Sequence, residues 1–119
     1  MRIGIFGAGS IGSYLGVPPS SPGPDVTVVG RPWLAELAPD LSVRTIGGVI
    51  HERGPRLRVI QSGANLNPVD LVLVTVKSQH TLDAAETLVL AETAAPVVSL
   101  QNGLRNASIL RGAGLDARA

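Results

Sequence analysis

The sequence predicts an α/β protein built on a doubly wound, mostly parallel sheet. Three observations carry that prediction. Apolar, β-branched runs at Arg2–Phe6, Asp25–Val29, residues 70–76 and residues 96–100 read as buried strands. Segments of helical composition separate several of them, the alternation expected of parallel strands joined by crossovers. A glycine-rich sequence, Gly7-Ala8-Gly9-Ser10-Ile11-Gly12, follows the first run directly.

Arg2–Phe6 is the first strand, and residues 10–16 start a helix. That helix should end near Gly16, because Pro18, Pro19, Pro22 and Pro24 follow. A proline inside a helix costs ~3 kcal/mol or more, and Val17 before Pro18 is pushed out of helical conformation. Asp25–Val29 is the second strand and closes a βαβ unit of about 30 residues. Residues 32–37 can form a short helix, with Pro32 in its first turn. Residues 41–46 and 49–52 flank Gly47-Gly48, which reads as a hairpin turn. Leu57–Ile60 adds a strand, and Asn65, Asn67 and Pro68 mark a loop.

Residues 70–76 (DLVLVTV) suit a central parallel strand covered on both faces. Residues 78–92 read as a helix, with Leu82, Ala85, Leu88 and Val89 as its apolar face. Residues 96–100 (PVVSL) are the next buried strand, and residues 106–111 begin a last helix. No internal repeat or low-complexity linker interrupts this order.

The 119 residues support a single domain, 1–119, and 45% hydrophobic with 16% charged residues fits a globular chain. The net charge of +1 gives no bulk attraction to nucleic acid or membrane. The absence of cysteine excludes disulfides, thiolate nucleophiles and Cys-ligated metals. No run reaches the ~20 apolar residues of a membrane span, and no signal sequence is evident, so a cytoplasmic location is expected.

The glycine sequence has a mechanical reading. Gly7 can take the tight turn off the strand, Gly9 lets a pyrophosphate approach the backbone, and Gly12 lets the helix pack on the strand. The free N–H groups near Ser10 and Ile11 would face phosphate at the helix N-terminus. The alternative is a structural Gly-rich turn, since the chain has 14 glycines.

In an open α/β sheet, ligands sit beyond the carboxyl ends of the strands. The strand exits carry Gly30-Arg31, then Lys77-Ser78, then Gln101-Asn102-Gly103. An NAD site usually places an acid after the second strand; here Arg31 stands there, and the first following acid is Glu36. A guanidinium pairs with a 2′-phosphate, so NADP is the expected cofactor. Lys77 is the one lysine among ten basic residues and ends a buried strand, which points to a ligand-facing role. Asn102 fits either a turn or a ligand contact. His51 reads as a surface residue and His80 as part of a helix surface. Trp33 reads as packing, and Arg53, Arg56 and Arg58 as an exposed strand face. No metal site is expected.

With the glycine loop, Gly30-Arg31, VTVK ending at Lys77 and SLQNG containing Asn102, the chain resembles the N-terminal domain of ketopantoate reductase (2-dehydropantoate 2-reductase). The resemblance spans nearly the whole chain and implies a Rossmann-type fold. It implies NADPH-dependent reduction of ketopantoate to pantoate, on the route to pantothenate and coenzyme A. Residues 7–12 would bind pyrophosphate and Arg31 the 2′-phosphate. Lys77 and Asn102 would lie near the nicotinamide and the substrate pocket. The family continues into a helical C-terminal domain that supplies the catalytic lysine and an acidic substrate-binding residue. These 119 residues do not include that domain, so no general acid is assigned among them, and a small 2-keto acid is expected to bind only with such a domain in place. The competing expectation is a non-catalytic NADP-binding module or a truncated remnant of such a gene; another NADP reductase of the same architecture is a third.

Overall fold

The first apolar run becomes the middle of a sheet. In the computed structural model, residues 1–7, 25–30, 42–44, 46–48, 50–52, 57–66, 68–103 and 105–119 are described. The strands in chain order are β1 (Arg2–Phe6), β2 (Asp25–Val29), β3 (Ser42–Arg44), β4 (Ile50–Glu52), β5 (Leu57–Ile60), β6 (Leu71–Val74), β7 (Val97–Ser99) and β8 (Ala117–Arg118). Two α-helices are described, α1 (Thr81–Leu90) and α2 (Asn106–Gly112), with 3₁₀ turns at Gly63–Asn65 and Ser78–His80.

Six strands form one sheet in the order β5-β2-β1-β6-β7-β8, and every neighbouring pair is parallel. From β1 the chain winds outward through β2 and β5, then returns to β6 on the other side and winds outward again. The order therefore reverses between β1 and β6, the place where a doubly wound sheet opens a crevice at its carboxyl edge. β3 and β4 form a separate antiparallel pair, with Arg44 opposite Ile50, around the Gly47-Gly48 turn that the sequence marks.

The two-residue period of the strands sorts their side chains onto two faces. Val29, Val72, Val74 and Val97 join Leu66, Ala84, Ala85, Leu88 and Leu110 in one buried cluster. Ile5, Val26, Val28 and Leu57 form a second, against which Ile3 and Leu73 pack. In β6 the alternation is direct: Val72 and Val74 serve the first cluster, and Leu73 the second. This two-sided burial is why residues 70–76 are nearly continuously apolar.

Helix α1 differs from the expected segment in extent and in face. Residues 78–80 form a 3₁₀ turn, and the α-helix runs only to Leu90. Glu92, at φ +52, takes the left-handed conformation, and the Thr93 N–H reaches back to the Leu88 carbonyl at 3.3 Å. That is a helix-ending geometry more often built on glycine. The buried face is Thr81, Ala84, Ala85 and Leu88. Leu82 and Val89, expected in the apolar face, are 57% and 45% exposed. Ala85 and Leu88 are buried as expected, while the small Thr81 and Ala84 take the places expected of Leu82 and Val89. β8 is a strand that the sequence reading did not identify.

The amino ends of the two central strands are clamped. The Arg2 backbone N–H donates to Asp70 Oδ2 at 2.7 Å, and its guanidinium donates to Asp70 Oδ1 at 3.1 Å. The guanidinium hydrogen bonds, helped by that backbone N–H, lower the Asp70 carboxyl from 3.8 to about 2. A folded value below the unfolded one means a contribution complete above 3.8 and lost as pH falls through about 2. Both side chains are half exposed, so solvent screening keeps the effect small. Asp70→Asn is expected to be slightly less stable than the unaltered chain in urea unfolding at pH 6. The gap should close as pH falls towards 2; a constant gap would contradict this account.

Candidate functional site

The opposite, carboxyl edge of the sheet is tied together by backbone and hydroxyl groups. At the exit of β1, the Gly7 N–H donates to the Val29 carbonyl at 3.2 Å. At the exit of β2, the Gly30 N–H donates to the Ile60 carbonyl at 2.9 Å. At the exit of β6, the Thr75 N–H donates to the Phe6 carbonyl at 2.9 Å, and its Oγ1 donates to the Gly7 carbonyl at 2.7 Å. At the exit of β7, the Leu100 N–H donates to the Val74 carbonyl at 3.0 Å. Neighbouring exits are thus linked across the edge.

Gly7 is the pivot of this edge. Its φ is +116, which side-chain-bearing residues rarely adopt. A Cβ there would stand 2.7 Å from the Val76 nitrogen and 2.8 Å from Val76 Cγ1. The chain therefore turns off β1 pressed against the segment that carries Lys77, and only glycine allows both the turn and the approach. The other glycine-loop candidates, Ala8, Gly9, Ser10, Ile11 and Gly12, lie outside the described residues. So do Arg31, Trp33, the proline-rich segment 17–24, Arg53 and Arg56.

Lys77 follows Val76 in an extended conformation (φ −61, ψ 148), is exposed, and precedes the 3₁₀ turn of Ser78–His80. Asn102 is exposed in the turn after β7. Its carbonyl accepts from Ser78 Oγ at 2.8 Å and from Asn106 Nδ2 at 2.7 Å. The structure therefore brings the segments carrying Gly7, Lys77 and Asn102 to one edge, as the strand-exit argument requires. The turn role of Asn102 is met by its backbone carbonyl.

Behind these exposed residues lies a polar network that sequence reasoning missed. Gln101 Nε2 donates to the Val76 carbonyl at 2.9 Å and to Thr81 Oγ1 at 2.8 Å. Thr81 Oγ1 donates to Asn106 Oδ1 at 2.7 Å, and Asn106 Nδ2 donates to Ser78 Oγ at 3.1 Å. Ser99 Oγ donates to Gln101 Oε1 at 3.0 Å. Thr81, Ser99 and Asn106 are buried. The available signal was the placement of polar residues where elements otherwise bury apolar ones: Thr75 after LVLV, Ser99 within PVVSL, and Thr81 and Asn106 at helix starts.

The remaining candidates fall elsewhere. His51 is in β4 of the separate antiparallel pair. His80 ends the 3₁₀ turn, its Nε2 3.4 Å from Gln79 Nε2. Arg58 is exposed on β5, where a guanidinium nitrogen reaches Thr27 Oγ1 at 3.3 Å. Among the described residues, no group of three His, Asp or Glu is placed to hold a metal ion. No described helix is long and apolar enough to cross a membrane.

Comparison with known proteins agrees with this architecture. The family model described as ketopantoate reductase PanE/ApbA matches residues 3–118. A PanE/ApbA family ketopantoate reductase from Ralstonia eutropha JMP134 superposes with a TM-score of 0.86 at 30% identity, over 99% of this chain and 39% of that one. A 2-dehydropantoate 2-reductase from Geobacter metallireducens GS-15 gives 0.76 at 32% identity, over 94% of this chain and 37% of that one. Glycerol-3-phosphate dehydrogenase from Coxiella burnetii, at 15% identity and a TM-score of 0.73, shares the fold. The chain thus spans under two fifths of the length of the ketopantoate reductases it matches. With a Rossmann-type sheet, a glycine turn at the switch point and a match from residue 3 to residue 118, the chain belongs to the ketopantoate reductase PanE/ApbA family.

Proposed function

We propose that this chain is the NADP-binding half of an NADPH-dependent ketopantoate reductase. Family membership implies a nicotinamide dinucleotide as cofactor. The observation that carries the proposal is the Gly7 turn. Its positive φ and its press against Val76 fit the first glycine of a pyrophosphate loop, placed where the strand order reverses. Residues 7–12 bind the pyrophosphate through backbone N–H groups, and Arg31 pairs with the 2′-phosphate. Lys77 and Asn102 face the nicotinamide end and the pocket for a small 2-keto acid, ketopantoate. When bound, NADPH supplies the hydride that reduces the keto carbon. The residues of this chain bind and orient, and they set the electrostatic surroundings of the developing alkoxide. The family match supports pantoate as the product, on the route to pantothenate and coenzyme A.

The test is binding of NADPH against NADH, measured for the unmodified chain and for Arg31→Ala. The unmodified chain should prefer NADPH by about 30-fold, the worth of a charge-assisted contact of about 2 kcal/mol. The preference should largely disappear in the variant. Equal binding of both cofactors by the unmodified chain overturns the Arg31 assignment. Ketopantoate-dependent oxidation of NADPH addresses the finer claim. Turnover by the chain, alone or mixed with the helical domain of a relative, supports the reductase; binding without turnover in both cases supports a non-catalytic NADP module.

A further inference from the structure

We infer that Asn106, through its pairing with Thr81, is a positioning residue that fixes the Lys77 and Asn102 segments relative to one another. The inference rests on the proposal that Lys77 and Asn102 face the nicotinamide end of the cofactor. Lys77 is flanked on one side by the Val76 carbonyl, held by Gln101, and on the other by Ser78, held by Asn106 and the Asn102 carbonyl. Asn102 is flanked by Gln101 and has its own carbonyl held by Ser78 and Asn106. Both exposed residues are thus anchored through their neighbours, and their own side chains stay available.

The donor and acceptor pattern of this network has one consistent direction. Both Asn106 Nδ2 hydrogens are used, by Ser78 Oγ and by the Asn102 carbonyl, and Oδ1 accepts from Thr81. A reversed amide would set Oδ1 against the Asn102 carbonyl oxygen at 2.7 Å, acceptor on acceptor. Thr81 Oγ1 accepts from Gln101 and so must donate to Asn106. Asn106 is 3% exposed and Thr81 0%. A buried network in which each member fixes the next holds a single arrangement, because breaking one link strands polar groups away from water. It spans the gap between the β6 and β7 exits, where no strand pairing continues.

Asn106→Asp tests this, since it keeps the shape and replaces the donor with an oxygen. In the full chain it should weaken NADPH binding about tenfold and reduce the fluorescence enhancement of bound NADPH. The NADPH-over-NADH preference, a property of the adenosine end, should stay unchanged. In a Lys77→Ala background the same substitution should cost only about threefold, because one of the two residues it positions is gone. Ser78→Ala, at an exposed site where water can replace the hydroxyl, should lower the unfolding midpoint less than Asn106→Asp and give a smaller loss with the same coupling to Lys77; it decides the matter if Asn106→Asp does not fold. A full tenfold loss in the Lys77→Ala background, an eroded cofactor preference, or unchanged binding in both variants overturns the positioning role. Failure of the unmodified chain to bind either cofactor overturns the dinucleotide reading, and this inference with it.

Discussion

Gly7→Ala is expected to abolish cofactor binding and to destabilise the domain by at least ~3 kcal/mol. Two costs combine. The backbone at φ +116 is one that an alanine rarely adopts, and the new Cβ would stand 2.7 Å from a backbone nitrogen of the β6 exit. Neither neighbour can yield cheaply: Thr75 is bonded to the Phe6 and Gly7 carbonyls, and Val76 has its carbonyl held by Gln101. Relief would push the β1 and β6 exits apart, at the place where the proposed pyrophosphate loop begins. Gly114→Ala is the matched control. Gly114 also has a positive φ, +92, but a Cβ there meets nothing within 4 Å. Urea unfolding should show a loss of about 1–2 kcal/mol for Gly114→Ala, with cofactor binding kept. Equal losses in the two variants would contradict the steric part of the argument.

Leu88→Ala is expected to cost about 2–5 kcal/mol, and to lower the unfolding midpoint by roughly 10 °C. Leu88 is fully buried on the sheet side of α1, within the cluster of Leu66, Val72, Val74, Val97 and Leu110. The substitution removes methyl groups from a site walled by β6, β7, α2 and the segment of Leu66, which leaves a hole in the packed cluster. A loss of that size is a large share of the ~5–15 kcal/mol that holds a domain folded. Leu82→Ala on the same helix should change stability by under about 0.5 kcal/mol, because Leu82 is 57% exposed. Thermal unfolding of the two variants measures which face of α1 meets the sheet. Comparable losses would restore the apolar face expected from sequence.

That contrast shows what was legible in the chain and what was not. β1, β2, β6 and β7 were readable because burial on both faces demands uninterrupted apolar residues, and runs such as DLVLVTV admit few other interpretations. The convergence of Gly7, Lys77 and Asn102 was readable for a related reason. Once the strands are parallel, everything after them lies on one edge. Half of the face of α1 was legible: Ala85 and Leu88 are buried as expected, but counting apolar residues also favoured Leu82 and Val89, whereas the fold buries the smaller Thr81 and Ala84 instead. β8 was illegible because Ala117 and Arg118 are too few to show a period, and the strand exists only by pairing with β7. The Gln101–Thr81–Asn106 network was illegible because its members are 20 and 25 residues apart in sequence and meet only after folding.

The strand order has a kinetic consequence. β1 is completed by β2 and by β6, and its clamp to Asp70 joins groups 68 residues apart in sequence. Each such pairing requires a long loop to close before any contact returns free energy. No hairpin in the six-stranded sheet offers a local nucleus, because every one of its pairings is parallel. Refolding from urea is therefore expected on the slow side for a domain of this size, in milliseconds to seconds rather than microseconds. The crossover that carries the chain from one half of the sheet to the other, and so assembles the site at the switch point, is also what slows the search for it.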